Sequence, residues 1–110
     1  NMRISDISFG TTDWSTIEAV EHKGEQGSSF WKTIQFGDIS VSMAEYAPGY
    51  RAADWCDKGH ILLCLEGELR TELKDGRVFV LKPGMTYQVA DNETPHRSST
   101  KGGAKIFIVD

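Results

Sequence analysis

Short runs of β-branched and aromatic residues, cut apart by glycine, set the narrowest limit on what this chain can fold into. Phe30-Trp31-Lys32-Thr33-Ile34-Gln35-Phe36 meets the run from Ile39 to Tyr46 across Gly37-Asp38, the two-residue, glycine-first connection of a tight hairpin. The run from His60 to Leu65 leads across Glu66-Gly67 to that from Glu68 to Leu73. Lys74-Asp75-Gly76-Arg77 then turns the chain into Val78-Phe79-Val80-Leu81, so a continuing meander is expected. Lys82-Pro83-Gly84 precedes Tyr87-Gln88-Val89, and Ile106-Phe107-Ile108-Val109 closes the chain. Asp13 to Val20 could hold one helical turn capped by Asp13 or Thr12, but Ile17 and Val20 give it too little apolar face, so it reads as irregular or strand. About seven or eight short strands with little or no helix make a sandwich or a barrel, and closure into a barrel removes exposed edges.

The 110 residues fit one domain, taken as residues 2–110, because a chain of this length can bury a single core and has no room for a second. Asn1 ahead of Met2 reads as a remnant of expression. With 39% hydrophobic and 25% charged residues the composition is that of an ordinary folded protein rather than a disordered one. A net charge of −4 with twelve scattered Lys and Arg leaves no basic stripe for phosphates, so no nucleic-acid partner is expected. No apolar run reaches the roughly 20 residues that cross a bilayer, and no charged head followed by an apolar stretch opens the chain. No membrane association and a cytoplasmic location are therefore expected. In that setting Cys56 and Cys64 read as free thiols.

Residues able to bind a metal gather in two places. Asp54, Cys56 and His60 precede or open a strand, and His96 follows the polar stretch from Asp91 to Pro95. In an extended segment residues two apart face the same way, so Asp54, Cys56 and His60 can share an inward face that Leu62 and Cys64 continue. His22, in the polar stretch from Glu21 to Ser29, reads as a solvated loop residue. Trp55 and Tyr87 are the candidates to line a ligand pocket beside the site, and Trp14 and Trp31 are aromatics available to a barrel end or a partner.

Pro48-Gly49, the donor-rich segment, His60 and Leu65-Glu66-Gly67-Glu68 resemble the first motif of the cupins. Gly84, Asp91, Glu93 and Thr94-Pro95-His96 resemble the second, with Thr100 where that motif usually has Asn. The resemblance spans about Tyr46 to Thr100 and implies an all-β, single cupin-type jelly-roll barrel. Carried over position by position, the motif's paired histidines fall on Asp54 and Cys56, its glutamate on His60 and its last histidine on His96. Ala53-Asp54-Trp55-Cys56 and Lys58-Gly59-His60 are also similar to an uncharacterised cupin subgroup named for an Asp, His, Cys and Trp cluster.

The resemblance implies a divalent metal held by His60, His96, Cys56 and Asp54. Mixed S, N and O donors suit Zn first, for its tolerance of thiolate, and also Fe, Ni, Mn or Cu. Two readings follow. In one the ion acts as a Lewis acid on a small polar metabolite, with Tyr87 or Glu66 assisting proton transfer. In the other the barrel binds or senses a small molecule without metal, or serves mainly to dimerise. A homodimer is compatible with both.

Overall fold

The computed structural model describes residues 4–110, so the expectations attached to Asn1 and Met2 lie outside it. The chain enters through one 3-10 turn, Trp14–Thr16, whose N-cap Asp13 accepts the Ser15 N–H at 3.0 Å. Nine strands follow: β1 (Val20–Lys23), β2 (Ser28–Phe36), β3 (Ile39–Tyr46), β4 (His60–Gly67), β5 (Leu69–Leu73), β6 (Val78–Leu81), β7 (Thr86–Val89), β8 (His96–Ser99) and β9 (Ala104–Val109). They form a six-stranded sheet ordered β1-β2-β3-β9-β4-β7 and a three-stranded sheet ordered β6-β5-β8, with every pairing antiparallel. Together they make a barrel, one of the two architectures that the short strands and turn residues imply, in the jelly-roll form that the cupin resemblance implies.

The β2–β3 hairpin forms as read, with Phe36 opposite Ile39 and Gly37 at φ 58°. The β5–β6 hairpin also forms, closed by Leu73 N–H to the Arg77 carbonyl at 2.8 Å. Two expectations fail. His22 is not in a loop: Val20–Lys23 pairs along β2 as an edge strand, and the His22 ring meets Trp31 edge-on at 6.4 Å. Nor do β4 and β5 form a hairpin of one meander, because β4 pairs with β7 and β9 whereas β5 pairs with β6 and β8. The chain changes sheets after Gly67, which sits at φ 73° against the Gly103 carbonyl oxygen, where any Cβ would collide. A local turn signal marks a reversal, but it does not say which sheet receives the next strand.

Alternation then sorts the side chains. Leu62 and Cys64 of β4, Ile106 and Ile108 of β9, and Ala44 and Tyr46 of β3 point between the sheets, where they meet Leu69 and Leu81. Each large aliphatic side chain buried this way contributes about 1.5–3 kcal/mol. The outer face of the large sheet is apolar as well. Val41, Val109 and Ile61 lie in one cross-strand row and Met43, Phe107 and Leu63 in the next, and Ile61 remains 60% exposed. At the open side of the barrel the edge strands β6 and β7 border a cavity of about 380 Å³.

Candidate metal centre

Three donors converge at one end of the barrel. Cys56 lies outside the regular strands but forms a bridge with the first residue of β8. Its N–H reaches the His96 carbonyl at 2.7 Å and the His96 N–H returns to the Cys56 carbonyl at 2.9 Å. Residues opposed in this way project to one face, so thiol and imidazole start side by side. His60 arrives from the other sheet at the start of β4, opposite Val89. Its entry is fixed by Asp91, whose carboxylate accepts the Gly59 N–H at 2.6 Å, and by the Asn92 N–H to the Asp57 carbonyl at 2.8 Å. Among the described residues Cys56, His60 and His96 alone form a group in which one donor atom from each lies within 4.8 Å of the others.

The protonation pattern follows from the neighbours. His96 Nδ1 lies 2.8 Å from the Thr94 carbonyl, which can only accept, so the hydrogen is on Nδ1 and the Nε2 lone pair faces the barrel. Nε2 of His96 lies 3.0 Å from Nε2 of His60, which is itself 2.8 Å from the Tyr87 hydroxyl. Burial pushes the Tyr87 hydroxyl well above its usual range, so it stays protonated. Burial first, and the neighbouring His96 second, push His60 down to about 4 against the opposing pull of Asp110 and Asp91, so it is a neutral imidazole at ordinary pH.

The residues fit a metal. The Nε2 atoms of His60 and His96 lie 3.0 Å apart, so either one hydrogen is shared between them or a cation takes its place. Two nitrogens about 2.0–2.1 Å from a tetrahedral ion sit roughly 3.3 Å apart, close to the separation seen here, and the nearby thiol supplies the soft donor that suits Zn. His60 is only 8% exposed, and its Nδ1 is buried without a hydrogen-bond partner.

Other sequence candidates lie elsewhere. Asp54 is exposed and stands apart from the three donors, because residues 53–54 form a bend and the alternation assumed for an extended strand does not run through them. Trp55 faces away from Cys56, with the Arg97 guanidinium 4.4 Å over its ring and Arg97 paired in turn with Glu72 at 2.8 Å; it does not line the β6–β7 cavity. Glu66 lies at the far end of β4, about 20 Å along the strand from His60 at 3.3 Å per residue, and pairs with Lys105 at 3.4 Å. It is therefore misplaced for proton transfer at this centre. Trp31 packs against the core and donates its indole N–H to Ser29 at 2.9 Å. The two cysteines are unpaired, as expected.

Sequence reasoning missed two groups. Thr71 sits on the inward side of β5 with its hydroxyl unpartnered, lining the β6–β7 cavity together with Phe79, Tyr87, Gln88, Glu93 and His96. Asp110 brings a carboxylate oxygen to 4.0 Å from His60 Nδ1. Both were detectable, since each is a polar residue falling on the inward parity of an apolar alternation, Leu69-Thr71-Leu73 and Ile106-Ile108-Asp110.

The barrel superposes on a sugar phosphate isomerase from a cupin superfamily of Silicibacter pomeroyi. The TM-score is 0.71 at 14% identity, covering 91% of this chain and 74% of that one. The fold is that of the cupins. The polyketide cyclase RemF of Streptomyces resistomycificus matches with a TM-score of 0.77 at 18% identity, covering 93% of this chain and 78% of that one. Fe(II)-HppE, solved with the alternative substrate (S)-1-HPP, gives 0.77 at 14% identity over 96% of this chain and 62% of that one. No protein-family profile matches this sequence, and no curated protein does.

Proposed function

We propose that this cupin holds a divalent metal ion through Cys56, His60 and His96 and acts on or senses a small polar molecule in the β6–β7 cavity. The convergence of two imidazoles and a thiol from two different sheets carries the reading. When bound, the ion would supply Lewis-acid polarisation of a carbonyl or carboxylate oxygen. The chain's own groups do the rest. The Thr94 carbonyl holds the His96 tautomer, and the neutral Tyr87 hydroxyl hydrogen-bonds His60 at the cavity wall. Thr71 offers a hydroxyl with no competing partner, and Phe79 and Val89 keep one side of the cavity apolar. Three protein donors leave coordination positions for a ligand, as a catalytic or sensing site requires.

A cytoplasmic location agrees with two unpaired thiols, and a homodimer agrees with the apolar outer face of the large sheet. A metal-free binding barrel is the second reading, favoured by the fact that Tyr87, His60 and His96 already stand at hydrogen-bonding distances from one another.

Elemental analysis separates the two readings. The parent protein purified without added metal should carry stoichiometric ion, and His60→Ala and His96→Ala should each lose it. Folded parent protein that takes up neither Zn, Fe, Ni, Mn nor Cu on reconstitution would leave the metal-free barrel standing.

A further inference from the structure

We propose that Thr71 is a specificity-determining residue: its hydroxyl receives an uncharged polar substituent of the small molecule that enters the β6–β7 cavity. The inference rests on the reading of that cavity as a binding site and deepens it by naming the class of ligand, but it needs no ion.

Thr71 interrupts an apolar row. It stands between Leu69 and Leu73 on the inward side of β5, opposite Phe79 of β6 and Ser98 of β8, and is only 3% exposed. Valine would fill the same volume and suit a strand as well. A buried hydroxyl ordinarily has a hydrogen-bond partner, but that of Thr71 has none. The residue lines the cavity of about 380 Å³ between the two edge strands. A polar group that is desolvated, unpartnered and beside open space is one that an entering molecule satisfies.

Its position says what else that molecule meets. Leu73 lies opposite His96, so Thr71, two residues earlier on the same face, is the diagonal neighbour of His96, about 7–8 Å away. Leu73, Phe79 and Val89 supply apolar surface in the same cavity. A molecule with a short apolar body can therefore touch Thr71 with one end and the wall made by Tyr87 and His96 with the other. Charge then limits the Thr71 end. The charged groups of the cavity, Arg77 and Glu93, are exposed, and Arg77 is already paired with Asp75 at 2.7 Å. The neighbours of Thr71 along and across the strands, Leu69, Leu73, Phe79 and Ser98, carry no charge. A carboxylate, phosphate or ammonium there would be buried against one hydroxyl with no counter-charge, which costs far more than one hydrogen bond returns. A hydroxyl, ether, carbonyl or amide needs only that one bond, which Thr71 can donate or accept.

The test uses the full chain and two probes of equal size, phenol and toluene, which differ by a hydroxyl in place of a methyl. Dissociation constants are read from the Val89 methyl resonances in the parent, Thr71→Val and Thr71→Ser, before and after treatment with a chelator. Thr71→Val keeps the volume and Thr71→Ser keeps the hydroxyl, and unchanged amide spectra away from the cavity control for folding. The preference for phenol over toluene should fall about 5–100-fold in Thr71→Val, the range set by the loss of a partner for a buried hydroxyl, and stay within about threefold of the parent in Thr71→Ser. Benzoate should bind the chelator-treated parent more weakly than phenol. The proposal is overturned by an equal preference in the parent and Thr71→Val, as a cavity water that satisfies Thr71 would give. It is equally overturned by a parent that binds neither probe in the cavity, or that binds benzoate more tightly than phenol after chelation. Thr71 is not one of the three donors, so the Thr71→Val effect should be the same with and without an ion. A protein that holds no metal then defeats the metal reading and leaves this one to stand or fall on the probes.

Discussion

The two cysteines compare the two ends of the barrel. Cys64 is fully buried among Leu62, Leu69 and Ile106, with its thiol near the Glu66 and Gly67 carbonyls at 3.6 and 3.7 Å, and burial pushes the thiol pKa up. A thiol held this way is a small apolar filler. Cys56 is half-buried, with two imidazoles for neighbours and a cavity opening beside them. Around Cys64 the packing is solid and the thiol has its carbonyl partners. The other end has an unpartnered imidazole nitrogen and an unpartnered hydroxyl. Polar groups left unsatisfied beside a cavity mark where stability has been given up for binding.

The comparison breaks most visibly at the solid end. Ile106→Ala should destabilise the fold by about 2–5 kcal/mol, by lost burial and the hole left behind. Chemical denaturation should show the same loss with and without metal. At the open end, His60 carries a folded-state value of about 4 against 6.5 unfolded. Between those values the unfolded chain takes up a proton that the fold refuses. The His60 contribution to the stability of the chelator-treated protein should therefore be full above about pH 6.5 and be lost, by on the order of 3 kcal/mol, as the pH drops to 4. A His60→Gln variant should flatten that slope. Thr71→Val should move stability the other way, raising it by about 1 kcal/mol because a buried, unpartnered hydroxyl is removed at nearly constant volume. A loss instead would mean that the hydroxyl is satisfied within the fold. The smallest effect on monomer stability, within about ±0.5 kcal/mol, is expected for Ile61→Lys on the outer sheet face. That variant should nonetheless shift the apparent mass in light scattering toward the monomer if the apolar rows around Ile61 pair two copies.

What the sequence disclosed was what depends on neighbours in the chain. Glycine punctuation located most strands, and the alternation His60-Leu62-Cys64 correctly turned all three inward. The polar composition of Val20–Lys23 concealed β1, because an edge strand exposed on both faces has no apolar alternation to display. Asp54 was grouped with Cys56 on the premise of an extended chain that a bend at 53–54 interrupts. Asp110 was passed over because its partner is fifty residues away in the chain, and only the pairing of β9 with β4 sets them side by side.

β9 lies fourth from the β1 edge of the large sheet and third from the β7 edge, between β3 and β4. The sheet cannot close over its own middle until residues 104–109 have left the ribosome, so the hairpins made earlier must wait with their apolar faces uncovered. Such non-local closure favours folding in milliseconds to seconds rather than microseconds. β4, which carries His60, is held between β9 and β7, so a chain interrupted before residue 104 would leave the centre without one of the two strands that hold it.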